Sequence, residues 1–439
     1  MFKTTIYTVL ILSVILISAC SKNRTDSLDA KPASEINPDA VPAQVKSGSE
    51  PIAGLNEISN QNNEFCFKLL HEIDEHGKNL FFSPFSINTA MGMVYTGAEG
   101  QTAKQIATAM DYHEAPSELH EKMGAYQKEL NILSDKQAMD LSIANSLFAS
   151  DKNADRLVER YLKILESSFD SEIHTLDFGQ SEESAAFINE WVGNATADRI
   201  QDLVTKEQIR QTNDGMILVN AIYFKADWLH KFDPKSTSTD RFFLSSDRDT
   251  KKSKEIQLMH IKDRFGYAKV GSFEILEMPY KAEDLSMIFI LPEDIDTIGK
   301  ELSETTWQEL TKALKIQETR VYIPRFRLEE SLDLVPAMQS MGIRDAFDPY
   351  HADFSGIMNL DKRSNLYISS ISHKAFLEVQ EEGSEAAAAT EVSFAITSIA
   401  PPTVIPIFRA DKPFLCMIVH KADNKILFLG KVVDPEAVE

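Results

Sequence analysis

The sequence lacks the motifs of the common enzyme and cofactor-binding classes. It contains no G-x-S-x-G elbow, no Walker loop and no calcium-loop pattern. His71 and His76 lie five residues apart, so on a helix they would face different directions, unlike the paired histidines of zinc proteases. We interpret these histidines as part of a solvated helix end, and the sequence predicts neither a metal site nor any other cofactor.

Cysteine and positive charge are also scarce. The 439 residues include only three cysteines, and apolar residues flank both Cys66 and Cys416, which favours two buried thiols over a disulfide. The 67 acidic and 45 basic residues give a net charge of -22, which opposes binding to nucleic acid and to anionic lipid. Attachment to a membrane would therefore need a covalent lipid rather than a basic surface.

The chain shows no internal repeat and no glycine- or proline-rich linker after residue 56. Length alone would predict about two or three domains. Apolar spacing predicts helices early and strands late, a mixed α+β fold. The predicted helices cover 64–73, 87–93, 102–110 and 184–200. The predicted strands cover 216–224, 273–279, 286–291, 320–323, 366–379, 415–420 and 426–430.

The longest apolar run lies at the N-terminus, where Lys3 precedes residues 6–17. This run is short for a membrane span and its flanks are typical of a signal peptide. The tetrad Ile17-Ser18-Ala19-Cys20 resembles a bacterial lipobox, which implies a lipoprotein signal peptide over 1–20 and lipidation of Cys20. An ordinary signal peptide with a coincidental cysteine is the alternative.

Residues 21–55 are rich in Ser, Pro, Asp, Asn and Ala, which is typical of a disordered tether. A flexible chain of this length spans on the order of 30 Å. Ser21 follows Cys20, where an aspartate would indicate retention at the inner membrane. We therefore expect export across the inner membrane and a lipid anchor on the cell envelope, at the outer membrane or the cell surface.

The segment 381–390, EEGSEAAAAT, places a run of small residues between two strong strand patterns. Alanine favours helix, so the run alone would predict a short exposed helix. Long irregular loops between strands are uncommon in compact domains and are usually functional, which favours a loop here. Strand alternation from 384 to 394 would give one uncharged face and one face with both acidic residues. The uncharged face comprises Ser384, Ala386, Ala388, Thr390, Val392 and Phe394.

Several segments together resemble the serpins, a family of protease inhibitors. The matching segments are HKAFLEVQEEGSEAAAAT, FRADKPF, NLFFSPFSI, LVNAIYFK leading to Trp228, IPRF, the stretch from Met341 to Phe347, and DFS at 353–355. They follow the family's order over nearly the whole chain beyond about residue 60. The resemblance implies one serpin domain over 56–439, with a large mixed β-sheet, two further sheets, surrounding helices and an exposed reactive-centre loop.

The resemblance also implies a suicide-substrate inhibitor of serine proteases with no enzymatic turnover. A target protease would attack the loop to form an acyl-enzyme, and the cleaved loop would then insert into the main sheet. The expected partner is thus a target protease, held in a covalent complex by a monomer. Papain-like cysteine proteases remain open as targets, and a non-inhibitory serpin-fold binding protein at the cell surface is the alternative function.

Individual positions carry over from the family pattern. Gly383 resembles the hinge glycine, and Ser384 stands where threonine is commoner. The implied hinge comprises Glu381, Gly383, Ser384, Glu385, Ala386, Ala387, Ala388, Ala389 and Thr390. A polar cluster beneath the sheet, the shutter, is implied for Ser83, Ser86, Asn220 and His373. Arg325 resembles the partner of Glu381 at the end of the sheet where insertion begins, the breach, to which Trp228 is also assigned.

The family's spacing, counted from Glu381, places the reactive bond between Thr397 and Ser398. Cleavage after one of three neighbouring residues is left open by the length of the loop. These residues are Phe394, Ile396 and Ile399.

No Lys or Arg occurs between Glu382 and Ile407. A trypsin-like specificity pocket carries a buried carboxylate that prefers a cation, so we expect elastase-like or chymotrypsin-like targets instead. A third interpretation, which the sequence favours least, is a surface hydrolase that uses His373 and a serine.

Overall fold

The described part of the chain forms ten α-helices and fifteen β-strands. The structure is a computed structural model, and it describes residues 55–136, 139–212, 215–246, 252–282, 284–359, 366–384 and 404–438. The helices are α1 (Leu55–Ile73), α2 (Pro84–Thr96), α3 (Gly100–Met110), α4 (Pro116–Lys136), α5 (Glu159–Phe169), α6 (Ser181–Ala195), α7 (Lys206–Thr212), α8 (Ile298–Glu301), α9 (Glu304–Ala313) and α10 (Val335–Ser340).

The strands lie mostly in the second half of the chain, as the sequence predicts. They are β1 (Leu80–Phe82), β2 (Met139–Ser150), β3 (Ile173–Leu176), β4 (Met216–Asp227), β5 (Ser238–Phe243), β6 (Ser253–Val270), β7 (Phe273–Pro279), β8 (Leu285–Pro292), β9 (Lys315–Pro324), β10 (Phe326–Asp333), β11 (Ile368–Val379), β12 (Gly383–Ser384), β13 (Ile407–Arg409), β14 (Phe414–His420) and β15 (Lys425–Val432).

A six-stranded mixed sheet, called the main sheet below, has the order β10-β11-β4-β2-β3, with β12 also paired to β4. Its centre is a parallel ladder between β4 and β11, in which His373 lies opposite Asn220. On its other side β4 pairs antiparallel with β2 along nearly its whole length. The expected α+β class with a large mixed sheet is confirmed.

The second sheet has nine strands, in the order β1-β15-β14-β8-β7-β6-β9-β13, with β5 paired to β6. Strand β6 has 18 residues and takes part in three ladders, with β5, β7 and β9. Because β6 is shared, the two further sheets of the expected fold form one continuous hydrogen-bonded path.

Both faces of β4 are buried. Phe224 lies in the apolar layer between the two sheets, with Phe289 and Phe428 of the second sheet. On the opposite face Val219 packs in a separate cluster with Ile188 of α6. Burial on both faces explains why β4 reads as a continuous apolar run rather than an alternating one.

Cys66 and Cys416 are both free and buried, in agreement with the expected pair of buried thiols. Burial raises the thiol pKa of both residues, and for Cys66 the carboxylate of Glu304 adds to the effect. Neither thiol is therefore a reactive nucleophile at neutral pH.

Candidate functional site

The hinge begins where β11 ends and the chain turns back toward β4. Gln380 and Gly383 exchange backbone hydrogen bonds in this turn, and Gly383–Ser384 then form β12. Gly383 lies opposite Asp227 and Ser384 opposite Ala226, in antiparallel register with β4. Since β2 occupies the other edge of β4, strand β12 lies on the edge that faces β11.

Gly383 adopts a backbone conformation that only glycine tolerates well. Its φ is 154°, and a Cβ atom at this position would lie 2.1 Å from the carbonyl oxygen of Ala226. Ser384 follows it and is fully buried, with its Oγ 2.9 Å from the hydroxyl of Tyr280. The start of the hinge therefore already occupies a tight site beside β4.

Glu381 forms a forked ion pair with Arg325 next to this turn. Arg325 Nε lies 2.9 Å from Oε1 and 2.8 Å from Oε2 of Glu381, and the hydroxyl of Thr237 also donates to the carboxylate. Burial, which leaves Glu381 only 4% exposed, raises its pKa, but the donors outweigh burial and hold the pKa below its ordinary value. The carboxylate is therefore ionised and bound at neutral pH.

Trp228 holds the backbone of the same turn. Its backbone N–H donates to Glu382 O at 2.8 Å, and its indole Nε1 donates to Gln380 O at 2.9 Å. The indole stacks on the ring of Tyr280, with centroids 4.6 Å apart and an interplanar angle of 5°. Because Tyr280 also contacts Ser384, these two aromatic residues connect the turn to β12.

The implied shutter residues meet in one buried cluster beneath the main sheet. His373 Nδ1 donates to Asn220 Oδ1, and Nε2 accepts from the backbone N–H of Ser83 at 3.2 Å. Asn220 Nδ2 donates to Ser86 Oγ at 2.5 Å, and Ser86 N donates to Ser83 Oγ at 3.0 Å. Burial lowers the pKa of His373 to about 3, so the imidazole is neutral and can accept this bond.

A family model described as serpin (serine protease inhibitor) matches residues 60–435. The chain belongs to the serpin family. Leukocyte elastase inhibitor from Xenopus laevis is 34% identical to it over 393 residues, which cover 87% of this chain and 100% of that protein.

Solved structures of other serpins show the same fold. The thermophilic serpin tengpin in its native state has a TM-score of 0.77 and 25% identity, and covers 93% of this chain and 97% of its own. Human thyroxine-binding globulin has a TM-score of 0.76 and 27% identity, over 87% of this chain and 100% of its own. Relatives and structures similar to this chain thus include a protein named as an elastase inhibitor and a protein named for binding thyroxine.

Asn145 of β2 also belongs to the shutter cluster of this serpin, although the sequence analysis missed it. Its Oδ1 accepts from Asn220 Nδ2 and from Ser86 Oγ, the latter at 3.4 Å. Its Nδ2 is buried without a hydrogen-bond partner among the described residues. A polar amide inside the apolar strand pattern of β2 was the available signal, since buried amides need partners on neighbouring strands.

The geometry disfavours a hydrolase site in this serpin. His373 accepts from the backbone N–H of Ser83, while the Ser83 hydroxyl donates to Leu427 O at 2.6 Å. Ser86 bonds to Asn220 and Asn145 rather than to the imidazole. A serine nucleophile requires a base at its hydroxyl and access for substrate, and this fully buried cluster offers neither.

The remaining predicted positions lie outside the described residues. They are Cys20, Glu385, Ala386, Ala387, Ala388, Ala389, Thr390, Phe394, Ile396, Thr397, Ser398 and Ile399. Within the described ranges, no group of three or more acidic, histidine or cysteine side chains is placed to hold a metal ion. None of the described helices combines the length and apolarity needed to cross a membrane.

Proposed function

We propose that this serpin inhibits serine proteases as a suicide substrate, by insertion of its cleaved loop beside β4. The pairing of β12 with β4 is the observation that carries the proposal. Since β4 and β11 are parallel, a strand that enters between them has the same orientation to both. The tight turn between Gln380 and Gly383 reverses the chain after β11, so a strand that continues from this turn runs antiparallel to both. Strand β12 has this direction and lies on the edge where β11 is the next strand.

The register of β12 sets how far the inserted loop would reach. Continued along β4, it would place Thr390 opposite Asn220 of the shutter and Phe394 opposite Met216, where β4 begins. The uncharged face of the loop would then lie opposite one face of β4, whose Ala226, Phe224 and Ile222 pack between the two sheets and whose Leu218 and Met216 pack in the neighbouring core. Three residues beyond Phe394, Thr397 would lie just past the end of β4.

The proposed chemistry takes place at Thr397, just past the end of β4. The hydroxyl of a target serine protease would attack the carbonyl carbon of Thr397, and the amino group of Ser398 would leave with a proton. The ester between the protease and Thr397 would then travel with the inserting strand, over about 34 Å for the ten residues 385–394. Water would hydrolyse the ester only if the protease kept its active-site geometry, which the displacement would disturb.

The target class rests on the loop sequence. Thr397 and its neighbours offer small or apolar side chains to a specificity pocket and no cation between Glu382 and Ile407. The similarity to a protein named as an elastase inhibitor supports elastase-like targets. Chymotrypsin-like, subtilisin-like and papain-like enzymes belong in the same test.

The purified protein should be mixed with one protease of each class and analysed in boiling detergent. A covalent band, with the released peptide beginning at Ser398, is the expected result. Cleavage without any covalent band in every mixture, together with a cut form that melts no higher than the intact one, would overturn the inhibitor proposal. A non-inhibitory binding protein would then be the better assignment.

We also propose export and lipid attachment through Cys20, with residues 21–55 as a tether. The lipobox-like tetrad and the polar composition of 21–55 support this assignment. Labelled fatty acid should be incorporated into the wild-type protein in its native host and not into Cys20→Ala. Equal labelling of both proteins, or no labelling of either, would contradict the lipid anchor.

A further inference from the structure

A cleft of about 530 Å³ lies between the end of α2 and the helices α3, α4 and α5. None of the hinge, breach or shutter residues described above lines it. A volume of this size suits a small organic ligand. The cleft is therefore separate from the inhibitory machinery and large enough to hold a molecule of its own.

The floor of the cleft is apolar. Ala103, Ala107 and Ile164 line it, together with the rings of Tyr95 and Tyr161. Both phenol hydroxyls are bonded elsewhere, to the backbone carbonyls of Glu114 and Met93, at 3.2 Å and 2.9 Å respectively. Tyr95 is 6% and Tyr161 2% exposed, so only the edges of the two rings reach the cleft, and a ligand there would leave neither hydroxyl unpaired.

One wall of the cleft is held by backbone contacts. Gly356 N donates to Gly97 O at 3.2 Å, and a Cβ on Gly356 would lie 2.9 Å from the same oxygen. Val158, at the start of α5, donates through its N–H to Ile357 O at 2.9 Å. These bonds fix the loop around Gly356 against α2 and α5, so the cleft is formed before any ligand arrives.

The rim of the cleft carries positive charge. Lys104 of α3 and Arg160 of α5 both line it, and neither has an ion-pair partner among the described residues. By contrast Lys163, one turn along α5, is paired with Glu159 at 2.6 Å. Glu99 is the one carboxylate among the lining residues.

Unpaired cations beside an apolar floor are notable in a chain whose net charge is -22. Helices α4 and α5 both begin at the cleft. Each has a carboxylate in its first turn, Glu118 and Glu159, but both are paired with a lysine one turn along, so the positive ends of the helix dipoles still face the cleft. Such an arrangement attracts anions and repels cations.

We propose that this cleft binds an organic anion with an apolar body, such as a fatty acid or an aromatic sulfonate. The apolar body would cover Ala103, Ala107 and Ile164 of the floor, together with the exposed edges of the tyrosine rings. The anionic head would lie between Lys104 and Arg160. Fatty acids and aromatic sulfonates share an apolar body and an anionic head, and a competition titration distinguishes them.

Fluorescence titration of the purified protein with anilinonaphthalene sulfonate tests the proposal, with dodecanoate as a competitor. We expect saturable binding, and displacement by dodecanoate if the cleft accepts fatty acids as well as aromatic sulfonates. The double variant Lys104→Ala/Arg160→Ala should bind about five- to tenfold more weakly, because two solvent-exposed charge contacts are lost. Ala107→Phe, which fills the floor, should remove this binding.

Lys128→Ala is the matched control, since Lys128 is an exposed lysine of α4 that bonds to Ser167 O and does not line the cleft. It should bind the sulfonate as the wild type does. Melting temperatures near that of the wild type would show that the variants are folded. Unchanged affinity in both the double variant and Ala107→Phe would overturn the proposal, as would equally tight binding of the uncharged probe phenylnaphthylamine.

Discussion

Gly383 is the residue at which backbone geometry bears most directly on the proposed reaction. In Gly383→Ala the new methyl group would collide with Ala226 O, 2.1 Å away, so β12 could not keep its pairing with β4. We expect the protein to shift from inhibitor to substrate, with less covalent complex and more cleaved loop per protease molecule. Densitometry of detergent gels measures both products.

Gly77→Ala is the control for backbone strain. Gly77 has a φ of 72°, and a Cβ added to it would meet no atom within 4 Å, so it shares the strain without the collision. Its complex yield should equal that of the wild type. An equal loss in both variants would mean that strain, rather than the contact with β4, causes the effect.

Arg325→Ala would leave the Glu381 carboxylate buried without its main partner. We expect a loss of about 1–3 kcal/mol in the free energy of unfolding at neutral pH, reduced by solvent because a third of Arg325 is exposed. The ion pair lowers the pKa of the Glu381 carboxyl in the folded protein. Its contribution to the free energy of unfolding is therefore complete above pH 4.5, the ordinary value, and is lost as the pH falls through the lowered pKa. Urea unfolding measures the difference.

Lys262→Ala removes an exposed ion pair with Glu318 and serves as the matched control. Its unfolding free energy should change by less than about 0.5 kcal/mol. A loss for Arg325→Ala no larger than this would show that the buried pair contributes little.

His373 should make the fold sensitive to acid. Its pKa lies at about 3 in the folded protein against 6.5 ordinarily, so the unfolded chain takes up a proton first as pH falls. The stability due to the neutral imidazole is complete above 6.5 and is lost progressively down to 3. His373→Gln cannot titrate, so its melting temperature should fall less between neutral pH and the middle of this window. Parallel curves for the two proteins would contradict this assignment.

Several elements could be predicted from sequence because one physical signal dominates them. Strand β7 was predicted with its observed bounds, and β4 from its continuous apolar run. The helix predicted over 184–200 ends at Ala195 instead, because Ala197 and Asp198 adopt positive φ. Such a stop depends on local backbone conformation that side-chain periodicity does not report.

Helix α4 was missed although a signal for it exists. Its buried residues recur at helical spacing, but charged residues between them obscure the pattern. These buried residues are Leu119, Met123, Tyr126 and Leu130.

The alternation of uncharged and acidic residues from 384 to 394 also could not show which element packs on each face of β4. The acidic loop face was expected to stay in water, yet in a continued register Glu391 would stand opposite Val219, which packs under α6. Coverage by α6 is a long-range contact, so no local pattern reveals it. The roles of the hinge and loop residues stay predictions.

The position of β12 can be followed through Trp228. Ser384→Arg would require a buried guanidinium beside Tyr280, so β12 should leave β4 and disturb the indole bond to Gln380 O. We expect a red shift in the emission assigned to Trp228, obtained by subtracting the spectrum of Trp228→Phe. Ser384→Thr, which keeps the hydroxyl, should show no shift, and an unshifted Ser384→Arg would argue against a buried hinge.

For the molecule as a whole, loop cleavage should raise stability. Insertion of the ten residues 385–394 would extend the ladder of β12 with β4 and bury Val392 and Phe394, a gain on the order of 10 kcal/mol. For a domain of about 380 residues that corresponds to a rise in melting temperature of roughly 12 °C. Calorimetry before and after cleavage by a non-target protease measures it. Deletion of residues 383–394 is the control and should abolish the rise.

The parallel ladder between β4 and β11 joins eight residue pairs in the middle of the main sheet. In the proposed reaction this ladder has to open before water hydrolyses the ester between the protease and Thr397. Each hydrogen bond of the ladder slows insertion, and the rate of insertion decides whether the protease is trapped or released. Two rates compete, so a substitution that tightens this ladder could strengthen the fold and yet make a poorer inhibitor.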